Sequence, residues 1–432
     1  MFLVECVADL TPERRRSVLA RANRALPEVV SQTQAILDRL LESPEYETAR
    51  EYRSLKPNLS PSDLLVTEEE IAASNAAISP ELKKALKVAL TNIQTFHEAQ
   101  LERPMWLTEV SPGLIAGRVT RPLAKVGVYI PGGRGAYPSS ALMNIIPAKV
   151  AGVKEIIAVT PPGPGFLARP EIVAAAHLAG ATKIYKLGGA WAIGSLAYGL
   201  NGLPKVDKIV GPGNMWVTAA KLAVYGEVDI DAPAGPSEGF IIVEGHYDPE
   251  IIAWDFLAQL EHDPQASAVL VVTSLELADA VAKIVAHETV HLERAPIINQ
   301  SLENAAILVA KDINEALDLA NEYAPEHLQI IAPDALSLLG RIQNAGSVFL
   351  GPSSPIPGGD YATGPNHVLP TGGSARSFSG LSTDSFLRKM TFQKVSSQAL
   401  RELTPTISAL ARAEGLIAHA KTVEIRALKD QD

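Results

Sequence analysis

From Val126 onward the chain alternates short β-branched runs with helical stretches, and this rhythm restricts the fold more than any other feature. "VGVYIP" (126–131), "EIIAVTPP" (155–162), "KIYKLGG" (183–189) and "KIVGPG" (208–213) each end at Gly or Pro and lead into a helical segment. Strand, turn and helix repeated four times describe a parallel, doubly wound unit. A second series starts at "GFIIVEG" (239–245) and continues through "SAVLVVTS", "AAILVA", "LQIIAP" and "GSVFLG" (346–351). Before Val126 the chain reads as helix. "TPERRRSVLARANRAL" and "SPELKKALKVALTNIQTFHEAQL" each open on a hydroxyl residue followed by Pro, a helix-start signal. After about Thr383 the pattern returns to helix.

The expected fold class is therefore α/β, with two Rossmann-like doubly wound domains, a helical N-terminal segment and a helical C-terminal tail. The expected boundaries are 1–25 for the N-terminal segment, 26–125 plus 236–382 for the first α/β domain, 126–235 for the second, and 383–432 for the tail. Among the 432 residues, 47% are hydrophobic and 20% charged, enough to bury large cores. The net charge of −10 opposes a nucleic-acid or anionic-membrane partner, since binding phosphate needs concentrated cationic charge. A single cysteine, Cys6, excludes an intramolecular disulfide framework. The start "MFLVECVADLTPERRR" has no secretory pattern, and the strongest apolar run, "AVLVV", is only strand-sized. A cytoplasmic location is the expectation.

Ligands of open α/β sheets bind beyond the carboxyl ends of strands. Two Gly-rich turns, "PGGRGAYPSS" (131–140) and "GPGN" (211–214), occupy such positions and lead into helices. Glycine lets the backbone approach a phosphate, and a helix start offers free N–H groups. The dinucleotide fingerprint G-x-G-x-x-G is absent, so a nucleotide site is only weakly signalled and an ordinary βα turn is the commoner reading of "GPGN". The nine histidines show no H-E-x-x-H spacing, and no C-x-x-C exists. Any metal site must be assembled from distant segments. In "AQLEHDPQA" (258–266), Gln259 and His262 stand three positions apart, about 60° around a helix, with Glu261 roughly opposite. That geometry suits two ligands to one cation. Asp360 in "GGDYATGPNH" stands on a Gly-rich loop after a strand. Taken singly, each of these is more often structural. In "YAPEHLQII", Pro325 stiffens the entrance of a strand and Glu326 and His327 follow it. Neighbours on a strand face opposite sides, so the two can share a cleft only at an irregular turn.

Together these segments resemble histidinol dehydrogenase. The likeness runs from about Pro122 to His419 through "GVYIPGGRGAYPSSALMNIIPAKVAGV", "KIVGPGNMWVTAAK", "DAPAGPSE", "LAQLEHDPQA", "YAPEHLQI", "AGSVFLG", "GDYATGPNHVLPT", "SGLS" and "EGLIAHA", in the family's order. The resemblance implies zinc-dependent oxidation of L-histidinol to L-histidine through the aldehyde, in two NAD-dependent steps. It implies Gln259, His262, Asp360 and His419 as zinc ligands and Glu326 and His327 as the acid/base pair. Ser237, His367 and Glu414 would hold substrate together with Gln259, His262, His327, Asp360 and His419. It also implies a domain-swapped homodimer with shared active sites, in which Glu414 and His419 complete the neighbour's site. On the NAD side Tyr129 and Asn214 match, whereas Trp191 in "GGAWA" stands where the family carries Gln. A Trp offers a stacking face and one N–H instead of an amide. The Gly-Asp element expected near residues 43–50 is also missing from "SPEYETAREY".

The residues give one mechanistic constraint of their own. Aldehyde oxidation commonly uses a cysteine thiolate, but Cys6 lies outside every motif. Water is then the nucleophile, with Glu326 the natural group to activate it and His327 the base for the alcohol proton. The rival readings are a related zinc/NAD dehydrogenase for another polar alcohol such as sulfopropanediol, a zinc hydrolase, and a non-catalytic zinc-binding protein. Retention of His367 and Glu414 favours a substrate bearing imidazole and amine, since a sulfonate calls for cationic partners.

Overall fold

The β-branched runs form two all-parallel sheets with the same strand order. β4 (Lys125–Tyr129), β5 (Glu155–Thr160), β6 (Lys183–Lys186), β7 (Lys208–Val210) and β8 (Asp229–Ile230) are arranged β6-β5-β4-β7-β8. β9 (Glu238–Val243), β10 (Ser267–Val272), β11 (Ala306–Val309), β12 (His327–Ile331) and β13 (Ser347–Leu350) repeat that pattern, with β1 (Val4–Cys6) added beyond β11. In each sheet the order reverses beside its first strand, which leaves a crevice there. Helices cover both faces, so strands such as Glu238–Val243 are buried throughout. β1 and β8, three and two residues long, are too short to leave a periodic signature.

The computed structural model describes residues 4–20, 26–133, 135–232 and 235–429. Arg134 of the first Gly-rich turn and residues 233–234 of "DAPAGPSE" lie outside them. The chain divides into two compact units. Met1–Gln100 with Ala124–Phe386 contains both parallel sheets; Leu101–Leu123 with Leu387–Asp432 is the other unit. No helix of the described residues is long and apolar enough to cross a membrane.

The helices from Leu26 onward were expected beside the 236–382 layer, but the Leu26–Glu42 helix packs over the five-stranded sheet instead, while Val18 of the Pro12–Leu19 helix joins the six-stranded core. The Leu26–Glu42 helix lies against the Gly189–Tyr198 and Met215–Val224 helices. Its Leu37 and Leu40 are fully buried over Gly194, where a Cβ would come within 2.7–2.8 Å of their methyl carbons. The hollow left by a missing side chain decides where this amphipathic helix docks. Val66 then donates its N–H to the Ile184 carbonyl at 2.9 Å, fastening the next segment to β6.

The second unit differs from the expected all-helical tail. β2 (Met105–Ser111), β3 (Leu114–Pro122) and β14 (Leu387–Val395) form an antiparallel sheet ordered β14-β3-β2. Two packed helices follow, Ser397–Ala413 and Ile417–Lys429. The sequence of β14, "LRKMTFQKV", interleaves cations with apolar residues and so hides its strand character. β2 is exposed along its whole length, including Met105, Trp106, Leu107 and Val110.

Leu37→Ala should destabilise the protein by about 2–5 kcal/mol in urea unfolding, as expected for a buried leucine. Leu41→Ala, on the exposed side of the same helix, should stay within about 0.5 kcal/mol. Equal effects would show that the helix does not dock through Gly194.

Candidate active site

The Ile313–Tyr323 helix is capped by Ala324, a non-glycine residue at φ +50, before Pro325 and β12. This left-handed residue is the irregular turn that lets adjacent residues meet in one cleft. The turn is pinned by Gly346 N–H donating to the Pro325 carbonyl and Ser347 N–H donating to the Glu326 carbonyl, both at 2.9 Å. Glu326 folds over the turn that opens β9. Its Oε2 accepts from Glu238 N–H at 2.8 Å and from the Ser237 hydroxyl at 3.2 Å. His327 Nδ1 is 3.5 Å from that same oxygen and 3.3 Å from the Glu238 carbonyl. On the other side of the ring, Nε2 is 3.5 Å from Asp360 Oδ1. Glu326 and His327 are both buried.

The electrostatics follow from this sandwich. Burial alone would lower the His327 pKa, but the charges and hydrogen bonds of Glu326 and Asp360 prevail and raise it to about 10. Burial pushes Asp360 up, yet His327, His367 and His262 together bring its carboxyl below the ordinary value. His367 is lowered by burial, with its Nδ1 2.8 Å from the Asp360 carbonyl oxygen.

Gln259 lies in the last turn of the Pro249–Leu260 helix, fully buried, with neither Oε1 nor Nε2 hydrogen-bonded. It is seated over Gly239 of β9, where any Cβ would collide with its Cγ. The helix stops at Leu260, so His262 lies beyond it and not on a continuing helical face. Its ring is exposed, and its carbonyl accepts from Arg294 at 3.2 Å. His262 acts electrostatically on Asp360, the weakest of the influences on that carboxyl. Asp360 itself sits in a short helix, Ile356–Tyr361, where a loop was expected; prolines at the helix start set it up.

These residues fit a cation. An uncompensated buried amide, a carboxylate held in its charged form and a free imidazole make the mixed N/O donor set that zinc accepts. No three His, Cys, Asp or Glu side chains converge as a metal cluster among the described residues. Of those residue types the first unit supplies only His262 and Asp360 from the expected set. Glu414 and His419 lie in the second unit, both exposed, around the turn between its two helices.

Ser237, Gln259, Glu326 and His327 surround the amino ends of β9 and β12, opposite to the carboxyl-end rule. The Gly-rich turns do obey that rule, following β4 and β7 of the five-stranded sheet. There Tyr129, buried, accepts from Gly189 N–H at 3.3 Å. Trp191, in the first turn of the following helix, keeps a buried Nε1 without a partner. Asn214 caps the Met215–Val224 helix, its Oδ1 accepting from Trp216 and Val217 N–H at 3.1 Å. Gly211, at φ +118, has no room for a side chain against the Tyr129 carbonyl. Its N–H donates to Asp231 Oδ2 at 2.7 Å and its carbonyl accepts from the buried Lys221 at 3.0 Å. Tyr361 follows Asp360 in the same short helix, and its phenol is raised by burial and then by Asp360, Glu261 and Tyr137.

Sequence reading missed two residues beside the site, Asp255 and Gln329. Both are buried and bonded to each other at 2.8 Å. The available signal was a polar residue inside each of two apolar runs, "IIAWDFL" and "HLQII".

A family profile described as histidinol dehydrogenase matches residues 19–427. The histidinol dehydrogenase of Methanosarcina barkeri is 45% identical over 426 residues, covering 99% of this chain and 98% of that protein. That of Methanothermobacter thermautotrophicus is 50% identical over 366 residues, covering 84% and 85%. The crystal structure of histidinol dehydrogenase from Elizabethkingia anophelis superposes with a TM-score of 0.92 at 34% identity, covering 100% of this chain and 99% of that one. The profile spans nearly all of the chain, and the relatives align over most of their own length. The chain belongs to the histidinol dehydrogenase family.

Proposed function

We propose that the protein oxidises L-histidinol to L-histidine through L-histidinal, with one zinc per subunit and two NAD consumed per turnover. The observation that carries this is the buried Gln259 amide, without hydrogen-bond partners, in the cleft where His327 stands between Glu326 and Asp360. Gln259, His262 and Asp360 would hold the metal, joined by His419 of a second copy. Bound zinc supplies a Lewis-acid anchor for the imidazole and amine of the substrate. NAD supplies the hydride acceptor, held on the edge of Tyr129, Trp191 and Asn214. Tyr361, close to Asp360, Glu261 and Tyr137, supports a single cleft between that edge and the acid/base pair.

In the first step His327 takes the hydroxyl proton as hydride leaves the carbinol carbon. With Asp360 committed to a cation, His327 loses that carboxylate's pull and moves toward the neutral form a base requires. In the second step Glu326 draws a proton from water, which adds to the aldehyde carbon; the adduct then gives up a second hydride and becomes the carboxylate. Ser237 orients Glu326 through its hydroxyl and, with His367 and the partner copy's Glu414 and His419, would hold the substrate. A homodimer of this kind is supported by the exposed apolar strand β2 and by exposed Leu410, Leu416, Ile417, Ile425 and Leu428 on the tail helices. The shared strand order of the two sheets supports two Rossmann-like domains, with the Leu26–Glu42 helix belonging to the 126–235 layer. The cytoplasm is the proposed compartment.

Zinc-loaded protein given L-histidinol and NAD should form two NADH per histidine. NADH formation only with a sulfonated diol would overturn the substrate, and ester hydrolysis without NAD would overturn the reaction class. Glu326→Ala should slow the aldehyde-to-acid step more than the alcohol step, measured by supplying histidinal directly. Equal losses in both would remove Glu326 from the water-activating role.

The pH dependence has a definite sign. The folded pKa of His327, about 10, lies above its ordinary value of about 6.5. Its pairing therefore contributes stability in full below pH 6.5, and that stability is lost as pH rises through about 10. In chelator-treated protein the Tm advantage of wild type over Glu326→Gln should shrink across that window. A gap independent of pH would contradict the assignment.

A further inference from the structure

Gln329 stands two residues beyond His327 on β12, so both side chains leave the same face of the sheet. Its surroundings are aliphatic and aromatic: Ile241 and Ile331 of the sheet share one buried cluster with Phe256 and Leu260 of the Pro249–Leu260 helix. The amide uses both of its hydrogens. Nε2 donates to Asp255 Oδ2 at 2.8 Å and to the Ser354 carbonyl at 3.4 Å. Asp255 precedes Gln259 by one helical turn, on the same side of the helix. Ser354 lies two residues before the Ile356–Tyr361 helix that presents Asp360. Three elements that carry three site residues thus converge on one buried side chain.

An amide and a carboxyl in this position add little stability. Replacing a buried polar pair by apolar residues of similar volume is often neutral or stabilising, and burial already pushes the Asp255 carboxyl up. What the pair supplies is direction. The hydrogen bonds fix the height of the Gln259 helix over β12 and the start of the Asp360 helix in the same frame, which aliphatic contacts leave free to slide. We propose that Gln329, acting with Asp255, is a positioning residue that sets the relative placement of Gln259, His327 and Asp360.

The inference rests on the functional reading above, and the test separates the two. Zinc affinity is measured by chelator competition on the full-length protein, alongside kcat, the KM for each substrate and Tm. Gln329→Met, which keeps the volume but neither hydrogen bond, should weaken zinc binding and lower kcat by about 10–100-fold each, the usual range for groups that orient metal ligands. Its KM for NAD should stay within about twofold and its Tm close to wild type, as an exchange of buried polar for apolar volume predicts. Asp255→Leu should behave likewise. Asp255→Asn, which keeps an acceptor oxygen for Gln329, should restore zinc affinity to near wild type. Wild-type zinc affinity in Gln329→Met would overturn the inference. Should that variant fail to fold, equal zinc affinities for Asp255→Leu and Asp255→Asn would overturn it instead. A wild-type protein that neither binds zinc nor oxidises L-histidinol would fail the functional reading, and the inference with it.

Discussion

A buried carboxylate must find donors, and Glu326 finds them in the turn that opens β9. The Glu238 N–H and the Ser237 hydroxyl both point at its Oε2, and hydrogen bonds to a charged group are among the stronger ones a protein makes. This clasp joins neighbouring strands β9 and β12 at their amino ends, where the backbone ladder is only beginning. It also holds Glu326 against His327 without sequestering the ring, since Nδ1 is shared with the Glu238 carbonyl. Nε2 is left facing Asp360. The site therefore has an order of dependence. The left-handed Ala324 turns the chain, the clasp fixes Glu326, and Glu326 with Asp360 sets the charge state of His327.

The two sheets share a strand order yet use opposite edges. In the five-stranded sheet the glycine turns leave the carboxyl ends of β4 and β7 and lead into helices, with the Gly211, Trp216 and Val217 N–H groups donating to Asp231 and Asn214. In the six-stranded sheet the titratable residues collect at the amino ends, where the Pro249–Leu260 helix finishes and the chain turns back into β10. Side chains from β12 and the loop before β9 converge there, and backbone groups such as the Glu238 N–H and carbonyl hold them. One edge carries the glycine turns and the other the buried titratable residues.

Much of this was legible in the chain. The nine β-branched runs became strands because continuous apolar runs are what a doubly covered sheet requires. Glu326 and His327 could be singled out from Pro325 alone, and the need for an irregular turn followed from strand geometry. Gln259 and His262 were paired for a partly mistaken reason, since the helix ends at Leu260 and Asp263-Pro264 completes a turn in place of another helical residue. The docking of the Leu26–Glu42 helix was not legible, because amphipathicity names the buried face but not the surface that will cover it. Gly194 supplies that answer only once its neighbours are in place. The antiparallel strands at 105–122 and 387–395 were hidden for a similar reason. The partner of β3 at 387–395 lies far away in the chain, and the exposed β2 packs no core that its pattern could announce.

Gln259 is where the balance between stability and function is clearest. A glutamine amide buried without partners costs about 1–3 kcal/mol for each group left unsatisfied, and a leucine of similar length would fill the same space without that penalty. The sheet nevertheless makes room for it by omitting a side chain at Gly239, a second sacrifice, since glycine within a strand weakens it. Two unfavourable choices on facing elements, each needed only by the other, do not follow from the demands of packing. They follow if the amide is held ready for a partner that the folded chain alone does not supply, beside a carboxylate that its histidine neighbours keep charged.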